Sequence, residues 1–279
     1  MTEQPIEMGA YESEPLERRR ISPLILLGGE QKRFKDTLST PKSLVELGGE
    51  PLLDLWLKKM ERAHLGRILL GVAHPHDTIE QHVRSSFKEN QQPIFSYDSE
   101  QRNGTGGAFL EAARTLLDST DQQTILSMNG DTIVSADLER MLNAHEQHRT
   151  ETGGDVATIT LTTEGTHHID QVYYDTATKE IAAWNEGIND APDLRSGHLK
   201  AASNTGISLI DRSILERILH DFQHRNGRIS FEQEILRYEV RYGKFFAHVG
   251  KYPMINLNEP ADLDRLRNEE GFWKQVLTE

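Results

Sequence analysis

From Ile21 onward the chain alternates short apolar runs with amphipathic stretches. Pro23–Leu27, Arg67–Ala73 and Pro93–Tyr97 are short and apolar, whereas Pro51–Ala63 and Thr78–Phe87 repeat their apolar positions at helical spacing. This alternation predicts strand–helix–strand units, hence an α/β fold with a parallel central sheet. Pro51 falls at a first helical position, and Leu52, Leu55, Trp56 and Met60 follow as a core-facing stripe. Gly104–Ser119 behaves the same way, with Phe109, Ala112, Ala113, Leu116 and Leu117 on one face, and Trp56 and Phe109 read as core residues. The apolar run Thr124–Asp131 reads as a buried strand and Ala136–His148 as the helix after it.

Past about residue 150 the texture changes. Asp155–Thr162 is β-branched, Gln171–Tyr174 and Glu180–Trp184 form a hairpin pattern about residues 175–179, and Ala201–Ile210 is another strand. This half is expected to extend the sheet and add a small, lid-like antiparallel portion. Helices over Arg212–Phe222 and Phe231–Val240, strands over Phe245–Val249 and Met254–Leu257, and a terminal helix from Pro260 complete the pattern. Residues 1–20 hold five Glu and the run Arg18-Arg19-Arg20 without periodicity, and read as a flexible arm ahead of one domain over residues 21–279.

Composition narrows the function. No apolar stretch reaches the roughly 20 residues of a membrane helix, and the first residues lack a signal-peptide core, so a soluble, cytoplasmic protein without membrane partners is expected. The absence of cysteine excludes disulfides, thiolate zinc sites and cysteine nucleophiles. A formal charge of −13 repels polyanions, which argues against nucleic acid. Small phosphorylated substrates are compatible with that field if local cations and a divalent metal offset it, and Arg33 with Lys42 is the obvious local supply.

The candidate chemistry lies in loops after predicted strands. Asp131 ends a buried strand, a common place to hold a metal over a nucleotide, although it could also cap the helix that follows. Gly28 and Gly29 remove side chains where a phosphate meets backbone, with Arg33 as a fork and Lys42 as a point charge; a tight turn with two solvated cations is the competing reading. Asn103-Gly104-Thr105-Gly106-Gly107 opens a helix, so its backbone donors face either a ligand or nothing more than a helix start. His145 and His148, one turn apart, read as a solvated helix face in preference to zinc ligands.

Taken in order, Leu27-Gly28-Gly29, Arg33, Pro41-Lys42, Gly104-Thr105-Gly106-Gly107, Asn129-Gly130-Asp131 and Asn204-Thr205-Gly206-Ile207 resemble the motifs of the sugar-1-phosphate nucleotidylyltransferases, over Ile21 to Arg267. Ser230-Phe231-Glu232-Gln233-Glu234 and Gly107-Ala108 lean toward the heptose- and mannose-1-phosphate guanylyltransferase-like members, while Asn204 and Asn256 lean toward the N-acetylglucosamine-1-phosphate uridylyltransferase pattern. The resemblance implies a Rossmann-like nucleotidyltransferase fold, a mostly parallel sheet with helices on both faces and an antiparallel sugar-binding portion. Its activity would be Mg²⁺-dependent condensation of a nucleoside triphosphate with a sugar 1-phosphate, and it carries the family's tendency to form homo-oligomers. By position, Arg33 and Lys42 would hold phosphates, and Leu27, Gly28, Gly29, Asn103, Gly104 and Thr105 the nucleotide. Asp131 and Asn256 would hold Mg²⁺, and Glu186 and Asn204 the sugar.

The chain departs from that pattern at Gln31 (usually Gly), Lys32 (usually Thr or Ser), Gly187 (usually Lys) and Asn256 (more often Asp). Those departures keep open a catalytically weak homologue that binds a nucleotide sugar and regulates a partner. A glycosyltransferase is disfavoured because Asp131-Thr132-Ile133 offers one carboxylate where such enzymes use an Asp-x-Asp pair. Base and acceptor stay open at this level.

Overall fold

The computed structural model describes residues 18–27, 40–72, 77–88, 92–98, 102–118, 122–164, 171–185 and 197–278, without the side chains of Arg19 and Arg102. In the first half, β1 (Ile21–Leu27) precedes a short hairpin of β2 (Glu46–Leu47) and β3 (Glu50–Pro51), then α1 (Leu52–Arg62), β4 (Leu69–Val72), α2 (Asp77–Ser86), β5 (Ile94–Tyr97) and β6 (Arg102–Asn103). Next come α3 (Gly104–Leu117), β7 (Thr124–Asn129), β8 (Thr132–Val134) and α4 (Leu138–Thr152). The second half holds β9 (Ala157–Thr162), β10 (Gln171–Asp175), β11 (Ile181–Trp184), β12 (Leu199–Asp211), α5 (Arg212–Phe222) and β13 (Gly227–Arg228). It closes with a π-turn over Phe231–Leu236, α6 (Arg237–Glu239), β14 (Phe245–Gly250), β15 (Met254–Asn256), α7 (Pro260–Asn268) and α8 (Glu270–Thr278).

Nine strands form the main sheet, in the order β11-β10-β12-β7-β1-β4-β5 with β9 and β14 branching from β12. The pairings make β1, β4, β5, β7, β9, β10 and β14 run one way and β11 and β12 the other, so the sheet is mostly parallel as expected. Alternation along the strands feeds two cores. Leu24, Leu26 and Ile125 pack with α3 and α5 on one face; Ile21, Ile25, Leu126 and Met128 pack with α1, α7 and α8 on the other. Arg62 locks the last helix down by donating to the carbonyls of Leu277 (2.6 Å) and Thr278 (2.5 Å), where the negative end of the helix dipole favours a cation.

Strand β12 sets the geometry of the site. At Ser203 it pairs with β9 on one edge and β10 on the other; at Ser208 it pairs with β9 and β7. So β10 and β7 share one edge of β12 and meet end to end across residues 204–206, and on the opposite edge a bulge between Asn204 and Ser208 interrupts the register with β9. A fork opens in the sheet there.

Several sequence expectations need correction. Pro51 is the N-cap of α1, one residue before the helix, because its backbone still pairs in β3. Asp137, whose carboxylate accepts from Glu139 N and Arg140 N, caps α4, so Asp131 is free of that duty and α4 runs from Leu138 past His148 to Thr152. The predicted helix over Phe231–Val240 is present and continues to Tyr242, but its first six residues are wound as a π-turn, with Ser230 O accepting from both Glu234 N and Ile235 N. The terminal helix splits at Glu269 into α7 and α8.

The largest correction concerns His145 and His148, which are buried. Strand β9 presents Ala157, Ile159 and Leu161 to one core but Thr158, Thr160 and Thr162 to the other face, and α4 covers that polar face. His145 Nδ1 and His148 Nδ1 lie 3.0 and 3.1 Å from Thr158 Oγ1, and His145 Nε2 lies 3.0 Å from Asp211 Oδ1. Asp211 also accepts from Thr124 Oγ1 (2.6 Å) and Val156 N (3.0 Å). Burial works to raise the Asp211 carboxyl, but these donors outweigh it and hold it below the usual carboxylate range. Histidines at the third and fourth positions of an otherwise apolar stripe were therefore a core signal.

Burial, helped by His145, pushes His148 down from an ordinary 6.5 to about 4. The unfolded chain then binds protons across that window that the folded chain refuses, so this stability is complete above pH 6.5 and is lost as pH falls toward 4. Thermal melts should show that loss. His148→Gln, which cannot titrate, should reduce it by roughly 2 kcal/mol across the window, and an unchanged pH profile would refute the assignment.

Candidate functional site

Asp131 stands in the turn between β7 and β8, at the carboxyl end of the strand beside β1. Gly130 before it is held by donation to Leu26 O at 2.9 Å, and a Cβ there would lie 2.5 Å from Leu27 Cδ2. Leu27 thus serves as a wall under the Asp131 turn. Strand β15 runs antiparallel to β8 with Asn256 opposite Thr132, and Leu257 N donates to Asp131 O at 2.9 Å. Lys42, which opens the short turn after Pro41, reaches across so that its ammonium donates to Leu257 O and lies 3.5 Å from Asp131 Oδ2.

The electrostatics of this group are unbalanced. Asp131, with about 33% of its side chain exposed, is raised above its usual range because desolvation outweighs the opposing charge of Lys42. Asn256 Oδ1 is buried and finds no hydrogen-bond partner among the described residues. A raised carboxylate and an orphaned amide oxygen on adjoining segments suit a hard cation that prefers oxygen ligands. Among the described residues no three His, Asp or Glu side chains cluster for metal binding, so such a cation would draw its other ligands from phosphate oxygens and water.

The start of α3 has a different job from the one its glycines suggest. Gly104 adopts φ +88°, and a Cβ on it would stand 2.7 Å from Ile229 O. Gly106 N donates to that same carbonyl at 2.9 Å, Ile229 N donates to Asn103 O at 2.9 Å, and Phe231 N donates to Thr105 Oγ1 at 3.1 Å. Strand β6 pairs with β13, and Phe109 stacks on Phe231 at 4.1 Å between centroids. The glycines thus admit the backbone of residues 229–231. Asn103 is exposed and makes no side-chain cap to the helix, which leaves its amide available to a ligand.

At the fork in the sheet, Asn204 Oδ1 accepts from Gly206 N at 3.1 Å and shapes the bulge, while Thr205 donates to Thr160 O at 2.8 Å beneath it. Asn129, the last residue of β7, lies against Gly206 and donates from Nδ2 to Glu232 Oε1 at 3.2 Å. Glu232 is half-buried, and its carboxyl is raised by desolvation and further by the charge of Asp131. The structure therefore gathers Leu27, Lys42, Asp131 and Asn256, sets Asn204 at the fork, and adds Asn129 and Glu232, to which sequence reasoning gave no role. Nothing in the spacing of Glu232 marked it, because a π-turn breaks the helical periodicity that would have placed it. Gly28, Gly29, Arg33 and Glu186, with Gln31, Lys32 and Gly187, lie outside the described residues.

Comparison with known proteins points the same way. A family model described as nucleotidyl transferase matches residues 22–168. The chain is similar to the D-glycero-alpha-D-manno-heptose 1-phosphate guanylyltransferase of Aneurinibacillus thermoaerophilus, at 23% identity over 250 residues, covering 88% of this chain and 96% of that protein. It is also similar to the mannose-1-phosphate guanylyltransferase catalytic subunit beta of Xenopus tropicalis, at 26% identity over 263 residues, covering 91% of this chain and 68% of that protein. In fold it resembles HddC from Yersinia pseudotuberculosis complexed with GMP-PN, with TM-score 0.62, 21% identity and coverage of 89% and 98%. The inositol-1-phosphate CTP transferase from T. maritima gives TM-score 0.64 at 14% identity, covering 92% and 97%.

The left-handed backbone at Gly104 and the close approach of Ile229 O make a sharp stability test. In chemical denaturation, Gly104→Ala should cost roughly 2–4 kcal/mol, whereas Gly153→Ala, also at positive φ but facing open space, should cost about 1. Equal losses at the two positions would deny the close packing its role.

Proposed function

The chain belongs to the nucleotidyl transferase family, and on that premise we propose that it joins a nucleoside triphosphate to a sugar 1-phosphate, yielding a nucleoside diphosphate sugar and pyrophosphate. The observation that carries this reading is the Asp131 centre, with the Lys42 ammonium 3.5 Å from its carboxylate and the unpartnered Asn256 Oδ1 on the neighbouring strand. A phosphate oxygen of the sugar 1-phosphate forms the new bond to the α-phosphorus. The bridging bond to the β-phosphate breaks, and its electron pair leaves with pyrophosphate. Such a displacement asks the protein for alignment and charge neutralisation and needs no covalent intermediate.

Asp131 and Asn256 would hold Mg²⁺, whose charge, when bound, supports the transferring phosphate and the departing pyrophosphate. Lys42 sits where its ammonium can exchange Asp131 and Leu257 O for phosphate oxygens. Leu27, Gly28, Gly29, Asn103, Gly104 and Thr105 are assigned to the nucleotide, Arg33 to its phosphates, and Asn204 and Glu186 to the sugar. The named activities of the guanylyltransferase relatives support GTP and a manno-configured sugar or heptose 1-phosphate as the first pair to try. No helix among the described residues is long and apolar enough to cross a membrane, and a homo-oligomer is the assembly to look for.

Pyrophosphate release is the direct assay, run with Mg²⁺ over GTP, UTP, CTP and dTTP against a panel of sugar 1-phosphates. A productive pair is expected, and Asp131→Asn should slow it by about 100-fold or more. Asn256→Asp, which adds a charged ligand, should lower the Mg²⁺ needed for half-maximal rate several-fold. Silence of the parent protein across the whole grid would overturn the reading, and binding of a nucleotide sugar without turnover would replace it with a ligand-sensing role.

A further inference from the structure

Nucleotidyl transfer as derived above gives no part to one half-buried acidic group that feels the charge of Asp131. Glu232 hangs from the π-turn, which is fastened at three points: the Ser230 hydroxyl accepts from Gln233 N at 3.2 Å, Ser230 O accepts from Glu234 N and Ile235 N, and Phe231 N donates to Thr105. This fastening delivers Oε1 to Asn129 Nδ2 at 3.2 Å. Asn129 in turn is confined by Gly206, where φ is +76° and a Cβ would stand 2.7 Å from Asn129 Nδ2. The carboxylate is thus aimed at the fork where β7 gives way to β10 along β12.

The chemistry of a carboxylate restricts what it can meet there. In its ionised form it has acceptors and no proton to give, so its ligand must be a hydrogen-bond donor or a cation, and the phosphates of either substrate would be repelled. Lys42 supplies the phosphate side of Asp131, and Glu232 stands toward Asn129, Gly206 and Asn204. The donors remaining in the proposed reaction are sugar hydroxyls and the N–H edge of a base. The fork favours the hydroxyls, because the Asn129 side chain turns to Gly206 of β12, although its backbone pairs with Leu26 at the end of β1.

We propose that Glu232, positioned by Asn129, accepts hydrogen bonds from hydroxyl groups of the acceptor and selects a neutral polyhydroxylated sugar 1-phosphate over deoxygenated or acidic ones. The inference rests on the nucleotidyl-transfer reading and assigns the acceptor specificity of that same site. A pocket built around a hydroxyl leaves its own acceptor unpaired when the hydroxyl is missing, which is why deoxy analogues are rejected strongly.

Parent and Glu232→Gln are compared by steady-state pyrophosphate release with GTP and mannose 1-phosphate, then with its 2-deoxy, 3-deoxy, 4-deoxy and 6-deoxy forms; if another sugar 1-phosphate is the one turned over, its deoxy series is used. Gln keeps the shape and an oxygen for Asn129, so the melting temperature should hold. The expected result is an acceptor KM raised about tenfold or more with the KM for GTP within about threefold, and a loss of discrimination against at least one deoxy sugar. Glu232→Asp, which keeps the charge, should recover part of it. An unchanged acceptor KM in a turning-over variant overturns this inference alone. A rise confined to the KM for GTP overturns it in favour of base recognition. A parent silent across the grid overturns the nucleotidyl-transfer reading and this inference with it.

Discussion

A strand edge can pair with only one neighbour at each residue, and the fold turns on how β12 spends one of its edges. Its first half pairs with β10 and its second half with β7, so the two neighbours must end against each other somewhere along its length. The bulge between Asn204 and Ser208, in the pairing with β9, lies beside that place, and Gly206, in a left-handed conformation, lets the Asn129 amide come close. The parallel half of the sheet, which ends in Asp131, is thereby joined to the antiparallel half. A ligand spanning both must lie across this seam. Lys42, Asp131 and Asn256 stand on one side of it, and Asn204 on the other.

The same pair of strands carries contrasting carboxylates at its two ends. Where β7 begins and β12 finishes, Asp211 is saturated with donors from Thr124, Val156 and His145, and its acid range is lowered. Where β7 finishes, Asp131 and Glu232 are short of donors and both are raised. Environments that push similar groups in opposite directions separate structural acids from working ones. Full satisfaction rigidifies the base of the sheet, and incomplete satisfaction leaves the opposite end ready for a ligand that brings charge or hydrogen-bond donors with it.

Much of the architecture could be read from period alone. The helix beginning beside Pro51, the helix at Gly104 and the strand running into Asp131 all announce themselves because their apolar positions repeat at one period and are bounded by glycine, proline or a polar turn. Reading failed where polar side chains were buried or periodicity was broken. His145 and His148 looked solvated because single-strand patterning could not reveal that the face of β9 beneath them consists of threonines. Glu232 stood in a run that carries the resemblance but received no site role, because a π-turn re-aims it. The glycine-rich start of the helix at Gly104 was read as facing either a ligand or nothing more than a helix start, whereas the backbone that approaches Gly104 and Gly106 belongs to residues 229–231, more than a hundred positions away in the chain. Local patterns report local structure; which distant segment will fill a space that a glycine leaves is a tertiary fact.

That last contact joins two pieces of the site into a single mechanical part. With Gly106 N bonded to Ile229 O and Phe231 N to the Thr105 hydroxyl, the start of α3 and the π-turn that aims Glu232 are cross-braced. A displacement of either is transmitted to the other. Any free energy by which one substrate tightens this brace is returned when the other binds first, so loading of the two substrates is thermodynamically reciprocal to the extent that the brace moves.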